Sequence, residues 1–407
     1  MRVAPSSSPT SSWGLLAGIA ALALLKTACD GGEGPKDETP VGDALVALLA
    51  AVGPEVVRPA LDRAALAADT LQVATAAWRD AEAAGVGADE AQVAAQDAWW
   101  AMMAAWQEVE VLQLGPAASS LTAVGGADLR DDVYSWPTVN RCRVDQETVD
   151  DDWADPTFFE TSLVNVYGLA ALEVLLYSPA GENACAATVA INTDGSWAAL
   201  GEDGVQAQRA AYAAVLATHT AQVVDAAVAH WDPAQGDFGA QLMGAGEGAS
   251  VYESREEALN AVFDALFYVE TGTKDRKIGY AVGAGDCATT SCMADIESPI
   301  AGGSHAWVAV NLRAFRTLYM GGAGAGMDDL LVSLGEDELA GALGAALDTA
   351  DAAALAVAVP FDVAAVEDPA ALDALYAAVK GVTDLLKGDI ATVLAMQIPA
   401  EAAGDND

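Results

Sequence analysis

The clearest pattern in the chain is an apolar helical face between residues 89 and 114. Large apolar side chains recur there at i, i+3, i+4, i+7 and i+10, a spacing that places them on one side of an α-helix. Packing into a core is the simplest role for such a face, and Gly115 with Pro116 ends the helix. The residues of the face are Trp99, Met102, Met103, Trp106 and Val109.

Helical patterning continues through most of the chain, and we predict an all-α fold. No alternating apolar and polar run of useful length is bounded by hairpin turns, so a β-sheet is not expected. Each half has helices interrupted by a cysteine-bearing loop, which favours two bundles packed side by side, at residues 43–200 and 201–407. The expected helical segments are 41–114, 156–177, 201–231, 254–270, 305–319, 327–357 and 369–394.

The first 28 residues have the pattern of an export signal. The apolar run Leu15 to Leu25 is too short to span a bilayer core of roughly 30 Å, so it is typical of a signal peptide. Thr27-Ala28-Cys29 resembles the end of a bacterial lipobox, although Lys26 stands where leucine is usual. We expect a signal peptide at 1–28, a lipidated Cys29 and a flexible tether at 29–42. A cleaved, soluble secreted form is the alternative.

Four further cysteines follow Cys29, an even number that favours disulfides in an exported chain. Three pairings are open to them. The spacing of Cys287 and Cys292 within a Gly/Ser/Thr-rich loop suits a local bridge, which leaves Cys142 and Cys185 to join two long loops. A zinc cluster is less favoured, because it usually needs closer cysteine pairs or a nearby histidine.

The charge of the chain excludes one class of partner. Asp and Glu number 59 against 18 Lys and Arg, a formal net charge of -41. Nucleic-acid binding needs a field of lysine and arginine, so we expect no nucleic-acid partner. The acid excess suits solubility or the attraction of cations. A hydrophobic fraction of 53% is enough to form a core and excludes disorder of the whole chain.

Several stretches, in order along the chain, resemble one known family. They include WWAMMAAWQEVEVLQLGPA (Trp99 to Ala117), YSWPTVNRCRVDQ (Tyr134 to Gln146), GLAALEVLLYSPAGENAC (Gly168 to Cys185), ESPIAGGSHAWVAVNLRAFRTLYMGG (Glu297 to Gly322) and the closing DIATVLAMQIPAEAAGDND. Together these are similar to the imelysin-like proteins of bacterial envelopes, from about residue 45 to 407. The resemblance implies two related four-helix bundles with a site between them. It also implies a periplasmic or surface-facing lipoprotein linked to iron uptake, in a family with some metallopeptidases.

The sequence resembles the family motif G-x-H-x-x-E with one substitution. Gly168 and Glu173 match the motif, and Ala170 stands at the histidine position. A histidine and a glutamate three residues apart on a helix project to the same side and can bind one metal ion. With Ala170 only one carboxylate is left, which weakens the metallopeptidase interpretation.

Three residues are the candidate metal ligands: Glu173, Glu110 and His305. Glu173 lies in an apolar helix, so its carboxylate needs a partner. That partner is either Arg141 or Arg143 in a structural role, or a ligand or metal. Glu110 shares the face of Trp106 and is either a second ligand or a solvated acid. His305 opens a helix behind a candidate N-cap, Ser304, and is either a surface residue or a ligand.

A wider set of charged residues extends these hypotheses. Glu110, Glu173, Asp145 and Glu297 would form a site for a hard cation such as Ca²⁺ or Fe³⁺ if they converged. The segment Glu270 to Gly283 also resembles the family, which raises the prospect that Glu270, Asp275 and Lys277 hold the second bundle to the first. His219 and His230 lie about 16 Å apart on one helix, too far to share a metal.

The leading functional hypothesis is a lipid-anchored protein of the cell envelope that binds a ligand or metal in iron acquisition without peptidase activity. The expected metal is iron or another divalent or trivalent cation. An imelysin-type metallopeptidase is the first alternative, and an adhesion or scaffold module with a degenerate site is the second. The expected partners are the membrane, through the anchor, and a metal or small ligand. Phosphate-binding, zinc-protease and serine-hydrolase motifs do not occur in the sequence.

Overall fold

A computed structural model describes residues 40–289 and 292–403. Across these residues the chain forms helices and no β-strand, so the predicted all-α class is confirmed. The expected signal peptide, Cys29 and nearly all of the tether lie outside the described residues.

The first part of the chain forms a group of helices built around four that pack against one another. In order along the sequence its helices are α1 (Pro40–Ala51), α2 (Arg58–Ala84), α3 (Ala88–Val111), α4 (Leu129–Val133), α5 (Arg141–Asp150), α6 (Phe158–Thr161), α7 (Gly168–Tyr177), α8 (Ala190–Thr193) and α9 (Ser196–Trp231). Of these, α2, α3, α7 and α9 pack against one another. The apolar face predicted for α3 is buried, with Trp99, Met102 and Met103 inaccessible to solvent.

Helix α9 bears on the expected division of the chain at residue 200. Gly201 has non-helical dihedral angles (φ 66°, ψ 172°) and marks a kink there. The long part of α9 beyond this kink packs on α2 and α7, with the first group of helices. The division at residue 200 stays a prediction for folding units, but by packing the first group extends to Trp231.

The second part of the chain forms another group around a long π-helix, Val269–Ile278. Its α-helices are α10 (Phe238–Met243), α11 (Arg255–Leu266), α12 (Gly279–Val282), α13 (Ser304–Tyr319), α14 (Met327–Ser333), α15 (Asp337–Ala356), α16 (Phe361–Glu367), α17 (Pro369–Leu385), α18 (Ala391–Leu394) and α19 (Ala400–Ala403). The π-helix packs against α13 and α17, and α15 packs against the same two helices. Two shorter π-helical segments, Val52–Val57 and Leu386–Ile390, continue α1 and α17.

Helices α3 and α13 join the two groups. Trp99 of α3 meets Trp307 of α13 edge to face, with ring centroids 6.3 Å apart. Buried apolar residues form one continuous core through both groups. The contact between the groups therefore excludes water as the interior of each group does. Polar groups buried there need hydrogen-bond partners within the protein.

Two disulfides fix the loops, in the pairing that the cysteine spacing favoured. Cys142 pairs with Cys185 across 43 residues, and Cys287 pairs with Cys292 across 5. The first ties α5 to the loop after α7. Because disulfides persist in oxidising compartments, the two bridges indicate an oxidising environment for the chain.

Two helical stretches, Pro40–Ala84 and Asp337–Ala356, are long and apolar enough to cross a membrane by length and composition. In the fold both stretches pack against other helices, the first against α3 and α9 and the second against α13 and α17. An alanine-rich core helix passes the same test, so this property alone does not indicate a membrane span.

Candidate functional site

The ammonium group of Lys277 lies at the centre of a buried polar cluster between the two helix groups. Lys277 belongs to the π-helix Val269–Ile278 and is inaccessible to solvent. Its Nζ lies 2.8 Å from Oε2 of Glu110 and 3.0 Å from Oε1 of Glu297. It also donates a hydrogen bond to the side-chain oxygen of Gln107. Two carboxylates from different parts of the chain thus share one lysine.

Arg130 is the second cation at Glu110. Its Nη2 donates to Oε1 of Glu110 at 2.7 Å, so each oxygen of this carboxylate faces a cation. Burial raises the pKa of Glu110, but the charges of Lys277 and Arg130 outweigh it and lower that pKa to about 2. Tyr268 completes the surroundings with a hydrogen bond to the same carboxylate. Glu110 is therefore ionised throughout the physiological pH range.

Glu297 is held by neutral donors as well as by Lys277. The Tyr134 hydroxyl donates to its Oε1 at 2.8 Å, and Nε2 of Gln107 donates to the same oxygen at 3.0 Å. The second oxygen of Glu297 is buried without a hydrogen-bond partner in the described chain. Burial raises the pKa of Glu297, although Lys277 opposes the shift.

Gln107 and Asn311 connect α3 to α13 beside this cluster. Nδ2 of Asn311 donates to the backbone oxygen of Gln107 at 2.8 Å and to its side-chain oxygen at 2.9 Å. Both residues are inaccessible to solvent. A buried polar network holds its geometry when its members are satisfied, so this pair fixes the register between the two helices.

Glu173 lies near the cluster but has other partners. Its Oε1 accepts hydrogen bonds from the backbone N–H groups of Ile300 and Ala301, at 2.9 and 2.8 Å. Among the described residues, neither expected structural partner, Arg141 or Arg143, forms a hydrogen bond or ion pair with it. Arg143 instead pairs with Glu147, and Arg141 acts only through its charge, which lowers the pKa of Glu173. Burial raises the pKa of Glu173 to about 7, against the opposing effect of the two N–H groups. The predicted pairing of Glu173 with an arginine was wrong because backbone donors from a distant loop leave no pattern in the sequence.

Gly168 begins α7 in a conformation that needs glycine. Its φ is +76°, and a Cβ there would lie 2.6 Å from the backbone oxygen of Val133. Ala170, two residues on, is buried with 4% exposure. Together these residues place α7 against the C-terminal end of α4, with Glu173 directed at Ile300 and Ala301.

The four carboxylates considered as a hard-cation site do not converge. Asp145 instead pairs with Arg209 at 3.2 Å, and its other oxygen accepts from the backbone N–H of Ala184 at 2.7 Å. This contact holds the Cys185 loop, so Asp145 has a structural role. Only Glu110 and Glu297 meet, and they meet on a lysine.

His305 also falls outside any group of ligands. It is the second residue of α13, half-buried, and burial lowers its pKa. Ser304 is not its N-cap as expected, since Ser304 is the first helical residue and its hydroxyl accepts from the backbone N–H of Phe361. Within 40–289 and 292–403, no three His, Cys, Asp or Glu side chains converge on a point that a metal ion could occupy. The donor set present does not fit a metal centre with three protein ligands.

The π-helix carries a second charged cluster on its other side. Lys274 lies 3.2 Å from Oε1 of Glu270 and 3.1 Å from Oδ1 of Asp275, and Lys387 pairs with Glu270. These partners all belong to the second helix group. Of the three residues expected to hold the groups together, Lys277 makes the contact, and Glu270 and Asp275 form ion pairs with Lys274 in the second group.

A cavity of about 1010 Å³ opens beside the Lys277 cluster. Its walls come from the loop after α3, from α11 and the start of the π-helix, and from the loop before α19. Arg130 and Tyr268 belong both to the cavity wall and to the surroundings of Glu110. The cavity thus has the buried charge cluster behind its wall.

Comparison with known proteins identifies the family that has this architecture. The family model described as imelysin, peptidase M75, matches residues 57–388. The chain belongs to the imelysin family. A search of curated proteins found no match.

Two solved structures share the imelysin fold with this chain. An imelysin-like protein from Psychrobacter arcticum 273-4 is 20% identical, covers 88% of this chain and 97% of its own, and has a TM-score of 0.64. A putative iron-regulated protein A precursor from Parabacteroides distasonis ATCC 8503 is 15% identical, covers 90% of this chain and 96% of its own, and has a TM-score of 0.65. At these identities the likeness concerns the fold.

Several members of the Lys277 cluster were not predicted from the sequence. Gln107, Tyr134, Tyr268 and Asn311 all lie buried in or beside the Lys277 cluster. For Gln107 a signal was present, since it is a polar residue four positions after Met103 on the inward face of α3. Tyr134 lies in a segment without a clear period, so its inward direction could not be predicted. Tyr268 and Asn311 lie in predicted helices, and Asn311 is four residues from both Trp307 and Phe315 on one face, so a signal was present there too.

Proposed function

We propose that this imelysin is an exported, lipid-anchored ligand-binding protein of iron acquisition without peptidase activity. Family membership and the two disulfides support an envelope protein. The name of one structural neighbour, a putative iron-regulated protein A precursor, supports the iron setting. Thr27-Ala28-Cys29 supports the anchor.

The observation that carries the non-catalytic assignment is the position of Lys277. Its ammonium group lies between Glu110 and Glu297, where a metal ion would need those same carboxylates. A catalytic zinc site usually has three protein ligands and one open position for water. Here Ala170 stands at the histidine position of the family motif, and Glu173 already accepts two backbone N–H groups.

The cavity beside this cluster is the place for the ligand. Its volume of about 1010 Å³ lies at the upper end of the range for ligand pockets, roughly 300–1,000 Å³. Both helix groups contribute to its wall, so an occupant contacts both. A scaffold module with a degenerate site predicts no such pocket, and the cavity therefore favours ligand binding.

One observation favours the metallopeptidase alternative. Glu173 has a pKa of about 7, raised by burial, which suits a general base near neutral pH. His305 is the nearest candidate nitrogen along the chain, four residues after Ala301, and it is half-buried. This alternative needs His305 to turn toward Glu173 and share a metal with it.

Metal titration separates the two functions. Thermal unfolding of the purified protein is followed with Fe³⁺, Fe²⁺, Zn²⁺ and Ca²⁺, together with peptidase assays, for the parent chain, Glu173→Gln and Ala170→His. A metal bound only by the folded state raises the melting temperature by mass action. We expect no shift in melting temperature and no peptidase activity in the parent chain. Ala170→His is the variant that restores the histidine of the family motif. A shift in the parent that Glu173→Gln abolishes, accompanied by peptide cleavage, would replace our proposal with the metallopeptidase.

The anchor has its own test. Expression with a labelled fatty acid, followed by mass spectrometry of the N-terminal peptide, reports lipidation of Cys29, and Cys29→Ser is the control. A label on the parent chain alone supports the anchor. Release of an unlabelled chain into the soluble fraction would show the cleaved secreted form.

A further inference from the structure

Five large apolar side chains around the short helix α10 are exposed to solvent. They come from three segments that are far apart in sequence, and we call them the α10 patch: Val46, Leu121, Val124, Met243 and Val251. Leu121 is 92% exposed and Met243 is 52% exposed, so no part of the described chain covers them. Single exposed apolar residues are ordinary, whereas a contiguous group of them marks a contact surface.

Helices α1 and α10 place two members of the patch beside each other. Gly53, two residues after the end of α1, faces α10, since a Cβ on it would lie 3.3 Å from the Cα of Gly239. Val46 precedes Gly53 by two helical turns and lies on the same side of α1. Met243 follows Gly239 by one turn and lies on the same side of α10. Because α10 packs against α1, Val46 and Met243 border one surface.

Two loops bring the other three members to α10. The first loop contains Leu121 and Val124, and its Gly125 packs on the ring of Phe238, where a Cβ would lie 2.7 Å from the ring. The second loop follows α10. The backbone N–H of Val251 in that loop donates to the side-chain oxygen of Gln241 on α10 at 2.9 Å. The five side chains therefore surround one helix and form one patch.

The proposed anchor limits what can cover this patch. Helix α1 begins at Pro40, eleven residues after Cys29, and eleven residues span at most about 40 Å in any conformation. Val46 lies only six residues, or about 9 Å, along α1 from Pro40. A folded chain of this length has a radius of gyration of roughly 20 Å. A lipid on Cys29 therefore holds the α1 side of the protein, with the α10 patch, close to the bilayer.

Charge decides between the surfaces that could meet the patch. Asp43, one turn before Val46, and Glu247, between Met243 and Val251, are exposed carboxylates. A second copy of this chain would bring like charges together, with a formal net charge of -41 on each copy. Anionic lipid headgroups would be repelled in the same way. A zwitterionic headgroup such as phosphatidylethanolamine has no net charge and meets no such repulsion.

We propose that the α10 patch contacts the bilayer surface, with its apolar side chains among zwitterionic phospholipid headgroups and the ends of the acyl chains next to them. This proposal rests on the lipid anchor proposed above and adds which face of the protein the membrane meets. Leaving water favours the apolar side chains. Because the anchor makes this contact intramolecular, a small patch is sufficient.

The test uses the full chain in its lipidated form, reconstituted into vesicles of phosphatidylethanolamine and phosphatidylcholine. Leu121→Cys and Met243→Cys each carry a fluorophore on the new thiol, since the native cysteines after Cys29 form disulfides. Val86→Cys is the matched control, because Val86 is 76% exposed and lies at the far end of α2, a helix of 27 residues or about 40 Å.

Two quenchers report the position of each fluorophore. A nitroxide on the lipid acyl chain quenches from within the bilayer, and iodide quenches from the water. We expect the lipid nitroxide to quench Leu121→Cys and Met243→Cys, and iodide to quench Val86→Cys. Replacing phosphatidylcholine by anionic phosphatidylglycerol should weaken the quenching by the lipid nitroxide, because Asp43 and Glu247 are repelled.

Three results would overturn the proposal, and they separate it from the anchor. Quenching of all three variants by iodide, on vesicles that retain the protein, would show that the patch faces water although the anchor is present. Quenching of the two patch variants by neither reagent, together with cross-links between copies, would assign the patch to a second copy of the chain. Failure of the vesicles to retain the protein would show that the anchor is absent, and the proposal would fall with it.

Discussion

Lys277 and Glu110 form an ion pair of 2.8 Å between residues that both have no solvent exposure. One belongs to the π-helix of the second helix group and the other to α3 of the first. An ion pair this deeply buried is not by itself a source of stability, because removing two charges from water is expensive. Its effect on the free energy of unfolding appears when one partner is removed.

Lys277→Met leaves the carboxylates of Glu110 and Glu297 buried without their shared cation. We expect a loss of about 3–5 kcal/mol in the free energy of unfolding, measured by urea denaturation. Lys380→Met is the control, since Lys380 pairs with Asp384 at 2.8 Å on the surface, where a pair contributes about 1 kcal/mol or less. Equal losses in the two variants would show that the buried cluster has no special weight.

The pKa of Glu173 makes a prediction about pH. Its folded pKa is about 7 against a model value of 4.5, so between these values the folded state holds a proton that the unfolded state releases. Stability therefore falls as pH rises through this window and levels off above pH 7, with a total cost of about 3 kcal/mol. Glu173→Gln keeps an acceptor for Ile300 and Ala301 and removes the titration.

Urea denaturation across the range from about pH 4 to about pH 8 measures this effect. The stability curve of Glu173→Gln should decline less steeply than that of the parent, and the two should diverge most above pH 7. Glu338→Gln, an exposed carboxylate on α15, is expected to run parallel to the parent. Parallel curves for Glu173→Gln as well would mean that Glu173 is ionised in the fold at all these pH values.

The helices were readable from the sequence where a period or a breaker was present. The inward face of α3 follows directly from the spacing of Trp99, Met103 and Trp106. The expected single helix at 327–357 is instead two helices, α14 and α15, separated by Gly335 with φ +85°. An isolated glycine is tolerated within many helices, so the break was not evident.

The site itself was less readable, for two physical reasons. The segment 271–278 is rich in charged and small residues and was expected to be a loop, but it is a buried π-helix whose charges are neutralised by ion pairs. Those partners are distant in sequence, with a separation of 167 residues between Lys277 and Glu110. A single sequence carries no information on which distant charge will neutralise which.

The two disulfides should differ in their effect on stability. In the chain-entropy model the stabilisation grows with the loop that is closed, and separations of 43 and 5 residues correspond to about 4 and about 2 kcal/mol. We expect the double variant Cys142→Ser, Cys185→Ser to lose more stability than Cys287→Ser, Cys292→Ser. Urea denaturation of both under non-reducing conditions checks the order, and the reverse order would show that the short bridge has a role beyond chain entropy.

Gly168 and Gly195 offer a matched pair for the backbone requirement at the start of α7. Their φ angles are almost the same, +76° and +77°, so alanine at either position incurs the strain of a left-handed conformation. At Gly195 a Cβ meets nothing within 4 Å, whereas at Gly168 it lies 2.6 Å from the backbone oxygen of Val133.

Gly195→Ala should therefore cost about 1 kcal/mol, the conformational penalty alone. Gly168→Ala should cost more, by about 1–3 kcal/mol, because α7 must shift away from Val133. That shift would also displace Glu173 from the N–H groups of Ile300 and Ala301, so the pH dependence of stability in Gly168→Ala should change together with its magnitude. Gly195→Ala should keep the pH dependence of the parent chain. An equal cost in the two variants would mean that Gly168 serves backbone conformation only, without a packing role against Val133.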